Sequence, residues 1–176
     1  MTYLPLLILL AMSTLPRLSD FSQPNAVDGW EIENDGVMGG ESSSRIKITK
    51  RGNLKFWGEV SLANDGGFAS VQRYFEEMDI SAYRKIRCRV KGDGKTYQLI
   101  LKAHRNERPQ YIQAFTTQRD EWQTVALPLD AFYPVFHGER LDLPNFAGET
   151  LAGTRFFIGN EKAESFTLLV KWIELA

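Results

Sequence analysis

The stretch Lys85-Ile86-Arg87-Cys88-Arg89-Val90-Lys91-Gly92-Asp93-Gly94-Lys95-Thr96-Tyr97-Gln98-Leu99-Ile100-Leu101-Lys102 decides the fold class. Apolar residues recur at every second position on both sides of an Asp-Gly pair, the period of a strand and not of a helix. Asp93-Gly94 is a strong type I′ turn signal, so the stretch is expected to fold as a hairpin. That register sets Val90 opposite Tyr97, Cys88 opposite Leu99 and Ile86 opposite Leu101. A one-residue slip would set Cys88 against Gln98 and spoil the apolar face.

The same pattern extends outward. A second turn at Asn64-Asp65-Gly66-Gly67 pairs Leu62 with Ala69, Val60 with Val71 and Phe56 with Phe75, with Gly58 leaving room for an inward Arg73. Strands are expected near 28–33, 44–50, 53–62, 67–75, 84–91, 96–104, 110–117, 121–127, 154–159 and 165–174. Short strands at this spacing suggest an all-β sandwich or barrel. One helical turn is expected around Pro128 to Phe132. The irregular segment 133–152 is long enough to be functional or to cover a sheet. A third Asn-Asp-Gly, Asn34-Asp35-Gly36, fails the hairpin test, because Val37-Met38-Gly39-Gly40-Glu41-Ser42 does not alternate.

The chain has 176 residues, 43% hydrophobic and 24% charged, which sets aside disordered and fibrous readings. Its 21 Lys and Arg balance 22 Asp and Glu, so net charge does not drive binding to a polyanion. Charge is nevertheless uneven. Six acids and no Lys or Arg lie between Asp20 and Ser44, while Lys85, Arg87, Arg89 and Lys91 share one strand face, with Lys102 placed opposite Lys85. That face reads first as a solvated one, and otherwise as a contact for an anion or acidic partner. Nucleic acid is disfavoured, because Ile100, Gln98 and Thr96 lie between the cations instead of stacking aromatics. The apolar run Tyr3–Met12 is too short to span a bilayer and has the length of a signal-peptide core. Residues 1–19 are therefore expected to be a leader, cleaved near Ala11-Met12-Ser13 if it is an export signal, and residues 20–176 the domain. Export or membrane association is the location that follows from such a signal.

Few residues suggest catalysis. Cys88 lies far from His104 in the expected register and reads as core. There is no Gly-x-Ser-x-Gly elbow, P-loop, dinucleotide fingerprint or zinc spacing, so no cofactor, metal or catalytic residue is expected. Asp35 and Asp65 are the carboxylates to test as a glycosidase pair, or with Asn34 and Asn64 as calcium ligands, against the alternative that both serve turns. Trp57 and Tyr74 fall together on one face. They form a platform for a sugar ring if it is open and core if it is covered, and core is favoured.

The ordered landmarks resemble a known family. Trp30-x-x-x-Asn34-Asp35-Gly36-Val37-Met38-Gly39-Gly40-x-Ser42-x-Ser44 is similar to the hallmark of the complex I intermediate-associated protein 30 family. Phe56-x-Gly58-x-x-Ser61, Asn64-x-Gly66-Gly67-Phe68-Ala69-Ser70, Gly92-Asp93-Gly94-x-x-Tyr97, Phe115-x-Thr117, Trp122-Gln123, Pro128-x-x-x-Phe132-x-Pro134 and the run from Phe157-Ile158 to Trp172-Ile173 follow in order. The resemblance implies a galactose-binding-like jelly-roll β-sandwich. It also implies a non-enzymatic assembly factor with protein partners, respiratory-complex subunits among the candidates. The fold also hosts carbohydrate-binding modules, so a glycan is the alternative partner. Family members often carry Arg where this chain has Gln72 followed by Arg73, which puts a role for Arg73 in question. The candidate contact residues are Asn34, Asp35, Val37, Met38, Asn64, Asp65, Arg73, Trp57 and Tyr74.

Overall fold

The computed structural model describes residues 15–176. Its strands are β1 (Arg17–Asp20), β2 (Trp30–Ile32), β3 (Ser43–Ile48), β4 (Leu54–Val60), β5 (Ala69–Asp79), β6 (Lys85–Lys91), β7 (Thr96–Lys102), β8 (Gln110–Thr116), β9 (Trp122–Pro128), β10 (Tyr133–Phe136), β11 (Glu139–Arg140), β12 (Thr150–Ile158) and β13 (Glu164–Leu175). They form two antiparallel sheets. One runs β3-β4-β13-β6-β9, with β1 also pairing β13; the other runs β11-β10-β8-β7-β12-β5-β2. The ten expected strands are all present, and the turn near Pro128 is the 3-10 turn Leu129–Ala131.

Both expected hairpins are corrected. β6 pairs with β13 and β9, whereas β7 pairs with β12 and β8, so the chain crosses between sheets at Asp93-Gly94. Ile86, Cys88 and Val90 do meet the side of the core lined by Tyr97, Leu99 and Leu101, but across the sandwich and not across a ladder. Hydrophobic alternation cannot separate these cases, because both put the same residues inside. Gly94 has φ +88°, and the Asp93 carboxylate accepts bonds from Tyr97 Oη at 3.0 Å and Thr167 N at 3.0 Å. The Asp-Gly chemistry therefore fixes a crossover.

β4 and β5 likewise belong to different sheets. Gly58 makes room for β3 and not for Arg73: a Cβ there would lie 2.7 Å from Ser44 Cα. Lys102 does not face Lys85. It is buried in the other sheet and donates to the Glu107 and Pro109 carbonyls.

Three strands fall outside the expected set. β1 begins within the stretch assigned to the leader and runs to Asp20, so the sandwich begins before residue 20. The 133–152 segment supplies β10 and β11, which extend the seven-stranded sheet at its edge, and Phe146, which enters the core. It does not cover Trp57 or Tyr74 as a lid. The Tyr3–Met12 run and its cleavage site lie outside the described residues. No helix among the described residues is long and apolar enough to cross a membrane.

Candidate functional site

Asp35 is the organising residue of the Asn34–Ser44 loop. It begins a 3-10 turn, Asp35–Met38, that ends at Gly39 with φ +93°. Its side chain is fully buried. Oδ1 accepts the Ser42 amide at 2.9 Å; Oδ2 accepts the Gly67 amide at 2.6 Å, the Phe68 amide at 3.2 Å and the Ser42 hydroxyl. Burial alone would push this carboxyl up, but the bonds from Ser42, Gly67 and Phe68 outweigh it and hold its pKa below the ordinary value. Ser42 Oγ in turn accepts the Ser61 amide at 2.9 Å.

The glycines of the motif leave space for this carboxylate. A Cβ on Gly40 would stand 2.5 Å from Asp35 Oδ1, and one on Gly66 2.6 Å from Oδ2. Asn34 works beside it: its Oδ1 accepts from Ser44 Oγ at 2.8 Å and from the Ser70 amide at 3.2 Å. Asn64 Nδ2 donates to Glu41 Oε1 at 3.3 Å. The two Asn-Asp-Gly loops are thus clasped together, with acceptors from the first meeting backbone donors of the second.

This geometry answers the catalytic and metal readings of Asp35. Its oxygens accept four bonds from N–H and O–H donors, which occupies the lone pairs that a cation or a substrate proton would need. Asp65 sits at φ +56° in its turn and does not share the Asp35 donors. No group of three or more metal-ligating side chains occurs among the described residues.

The clasp holds its loop so that apolar side chains face outward. Val37 is 71% exposed and Met38 64%. Leu62, 48% exposed, lines a shallow recess with Gly66, Gly67, Phe68 and Phe157, and Phe68 stacks on Phe157 at 5.1 Å. The recess adjoins the clasp, because the Gly67 and Phe68 amides are the ones that hold Asp35.

Other candidates lie elsewhere. Trp57 and Tyr74 belong to different sheets and cannot form one platform. Each is half-buried and flanked by cations: Lys47 and Lys55 stand 5.5 and 5.0 Å from the Trp57 ring, and Arg105 5.4 Å from Tyr74. Arg73 donates weakly to Ser19 Oγ at 3.4 Å, with Gly29 against its side chain.

Gln72, at the family's arginine position, carries a network that the sequence did not reveal. Its Oε1 accepts from Arg155 Nε at 2.9 Å, and its Nε2 donates to Glu33 Oε2 at 2.8 Å, while Arg155 Nη2 reaches Glu33 Oε1 at 2.9 Å. A guanidinium thus stands beside this place, supplied from the adjacent strand. The sequence shows no spacing signal for it, because Arg155 lies 83 residues from Gln72. Cys88 is buried, and burial followed by the Glu174 charge pushes its thiol far up, as suits a core residue.

The solved structures similar to this chain include the family 11 carbohydrate-binding module of the cellulosomal cellulase Lic26A-Cel5E of Clostridium thermocellum. It is 16% identical with a TM-score of 0.65, over 93% of this chain and 95% of that one. A family 29 carbohydrate-binding module is 12% identical with a TM-score of 0.55, over 92% and 85%. At these identities the likeness shows the fold alone, an all-β galactose-binding-like jelly-roll sandwich. No curated protein matches the chain. The family model described as complex I intermediate-associated protein 30 matches residues 19–170, a span that contains the clasp around Asp35. The chain therefore belongs to the complex I intermediate-associated protein 30 family.

Proposed function

We propose that the protein is a non-enzymatic binding module that takes protein partners through Val37 and Met38. The observation that carries this reading is the contrast within four residues. Asp35 is fully buried and saturated with donors, while Val37 and Met38 project with most of their surface in water. Two apolar side chains held out on a pinned loop are pre-organised for contact, so little ordering entropy opposes binding. An assembly intermediate of a respiratory complex, the partner named in the family's description, is the class of protein this surface would meet.

Burying both side chains is worth about 3 kcal/mol or more. Val37→Asp combined with Met38→Asp is therefore expected to weaken partner binding at least about 100-fold. Thermal unfolding should be unchanged within a degree or two, because neither side chain is in the core. Affinity of purified partner and variant, measured beside the melting curves, checks this. Unchanged affinity would remove the proposal.

A second reading is favoured by one observation on the seven-stranded sheet. Tyr74 lines a shallow depression with Gln72, Lys102, Gln110 and Arg155, an aromatic ring beside convergent polar groups of the kind that holds a sugar. A glycan screen with wild type and Tyr74→Ala decides it. Binding lost in the variant supports this reading, and a screen without hits sets it aside.

A further inference from the structure

We infer that the outer face of the six-stranded sheet docks onto an anionic phospholipid surface. The inward residues of its strands are Ile46 and Ile48 in β3, Leu54 and Phe56 in β4, and Ile86, Cys88 and Val90 in β6. Alternation then turns Arg45 and Lys47, Lys55, and Lys85, Arg87, Arg89 and Lys91 outward. Arg17 of β1 and the exposed Lys171 of β13 complete the set. Nine of the chain's 21 cations thus lie on one sheet face, against three of its 22 acids, Asp20, Glu59 and Glu174.

Most of these cations are unmatched. Arg17 pairs with Asp20 and lies 3.9 Å from Glu174, Arg87 pairs with Glu174 at 3.1 Å, and Lys91 reaches the exposed Asp120 at 3.8 Å. Arg45, Lys47, Lys55, Lys85 and Arg89 have no ion pair among the described residues. The near-zero net charge is therefore a polarised one. Acids such as Glu31, Glu76, Glu77 and Asp79 belong to the other sheet. That sheet stands about 10 Å behind, beyond a physiological Debye length of about 8 Å.

The same face carries three of the chain's four tryptophans. Trp57 lies under Lys47 and Lys55. Trp172 lies between Arg17 at 5.8 Å and Arg87 at 5.7 Å. Trp122 pairs with Lys91 across the ladder. Half-buried indoles among cations are the side chains that settle at a headgroup interface.

Shape selects the occupant. The cations spread from β3 to β6, about 15 Å across the strands, and about 20 Å along β6. A linear polyanion would engage one row of such an array, whereas a bilayer surface engages all of it at once. The sequence-based argument against nucleic acid placed Ile100, Gln98 and Thr96 between these cations. Those residues belong to the other sheet, so shape, and not their presence, separates the partners here.

The test is co-sedimentation of the full chain with vesicles at about 0.15 M salt. Vesicles of phosphatidylcholine are compared with vesicles containing about one third phosphatidylserine. A cation near such a surface is worth about five-fold in binding. Lys47→Glu, Lys55→Glu and Arg89→Glu together are expected to lower partitioning to anionic vesicles at least about 100-fold. Arg108→Glu, Arg140→Glu and Lys162→Glu, the same change in charge away from this face, should leave it within about two-fold. If the Glu set fails to fold, Lys47→Gln, Lys55→Gln and Arg89→Gln should still lose at least about ten-fold. Equal binding to neutral vesicles, equal loss in the two Glu sets, or binding to heparin without binding to vesicles would overturn the inference.

Discussion

Asp35→Ala should lower the unfolding free energy by about 3–5 kcal/mol, because it strands the buried Ser42 amide and hydroxyl and the part-buried Gly67 and Phe68 amides at once. In a domain of this size that is a drop in Tm of roughly 10 °C or more. Asp35→Asn should cost less, about 1–3 kcal/mol, since one carboxylate oxygen remains as an acceptor while the new amide faces a donor. The pH dependence has a definite sign. The folded pKa is held below the ordinary value of 3.8 by the hydrogen bonds of the clasp, which outweigh the opposing effect of burial. The contribution of the charged form is therefore complete above about pH 4 and is lost as pH falls through the lowered folded pKa. The stability gap between wild type and Asp35→Asn should be flat from neutrality to about pH 4 and shrink below it. Denaturant titrations across that range check both statements. A gap that widened on acidification would show that the carboxylate is not bound as described.

Gly40→Ala should destabilise by about 1–3 kcal/mol although Gly40 does not have positive φ. The cause is the Asp35 carboxylate, which occupies the space of the missing methyl group. The two positions should therefore couple. In an Asp35→Ala background the carboxylate is gone and only the residue 35 Cβ, 2.8 Å from the added methyl group, is left to shift, so Gly40→Ala should cost clearly less, giving an interaction energy of about 1–2 kcal/mol in a double-mutant cycle. Additive losses would mean that the glycine is required for another reason. The cycle separates a packed clasp from ordinary loop flexibility, which would predict no coupling.

The sequence carried the strand content, because alternation is plain in β3, β6 and most of β13. It did not carry the pairing. Asp93-Gly94 and Asp65-Gly66 have hairpin chemistry, yet both lie where the chain passes between sheets. The inward residues of β6 and β7 fit a ladder and a facing pair of sheets equally well. β1 was missed because four residues are too few to show a period, and β10 because Pro134 argues against a strand unless it lies near an edge. The motif around Asp35 could be read as a motif but not as a mechanism. Its partners at Gly67 and Phe68 lie 32 and 33 residues away, so local turn chemistry gave no reason for them. The basic face was legible only in β6. Its extension across β3 and β4, and its tryptophans, required the correct sheet order.

In the proposed role, a saturated, buried Asp35 presents Val37 and Met38 to a protein partner. Photo-crosslinking from position 38 tests this most directly, with position 140 as an exposed site on β11, away from the loop, and Val37→Asp as the competing loss of contact. The expected result is a discrete protein adduct from position 38 that is absent from position 140 and disappears with Val37→Asp. The same adduct from both positions, or one indifferent to Val37→Asp, would contradict the claim.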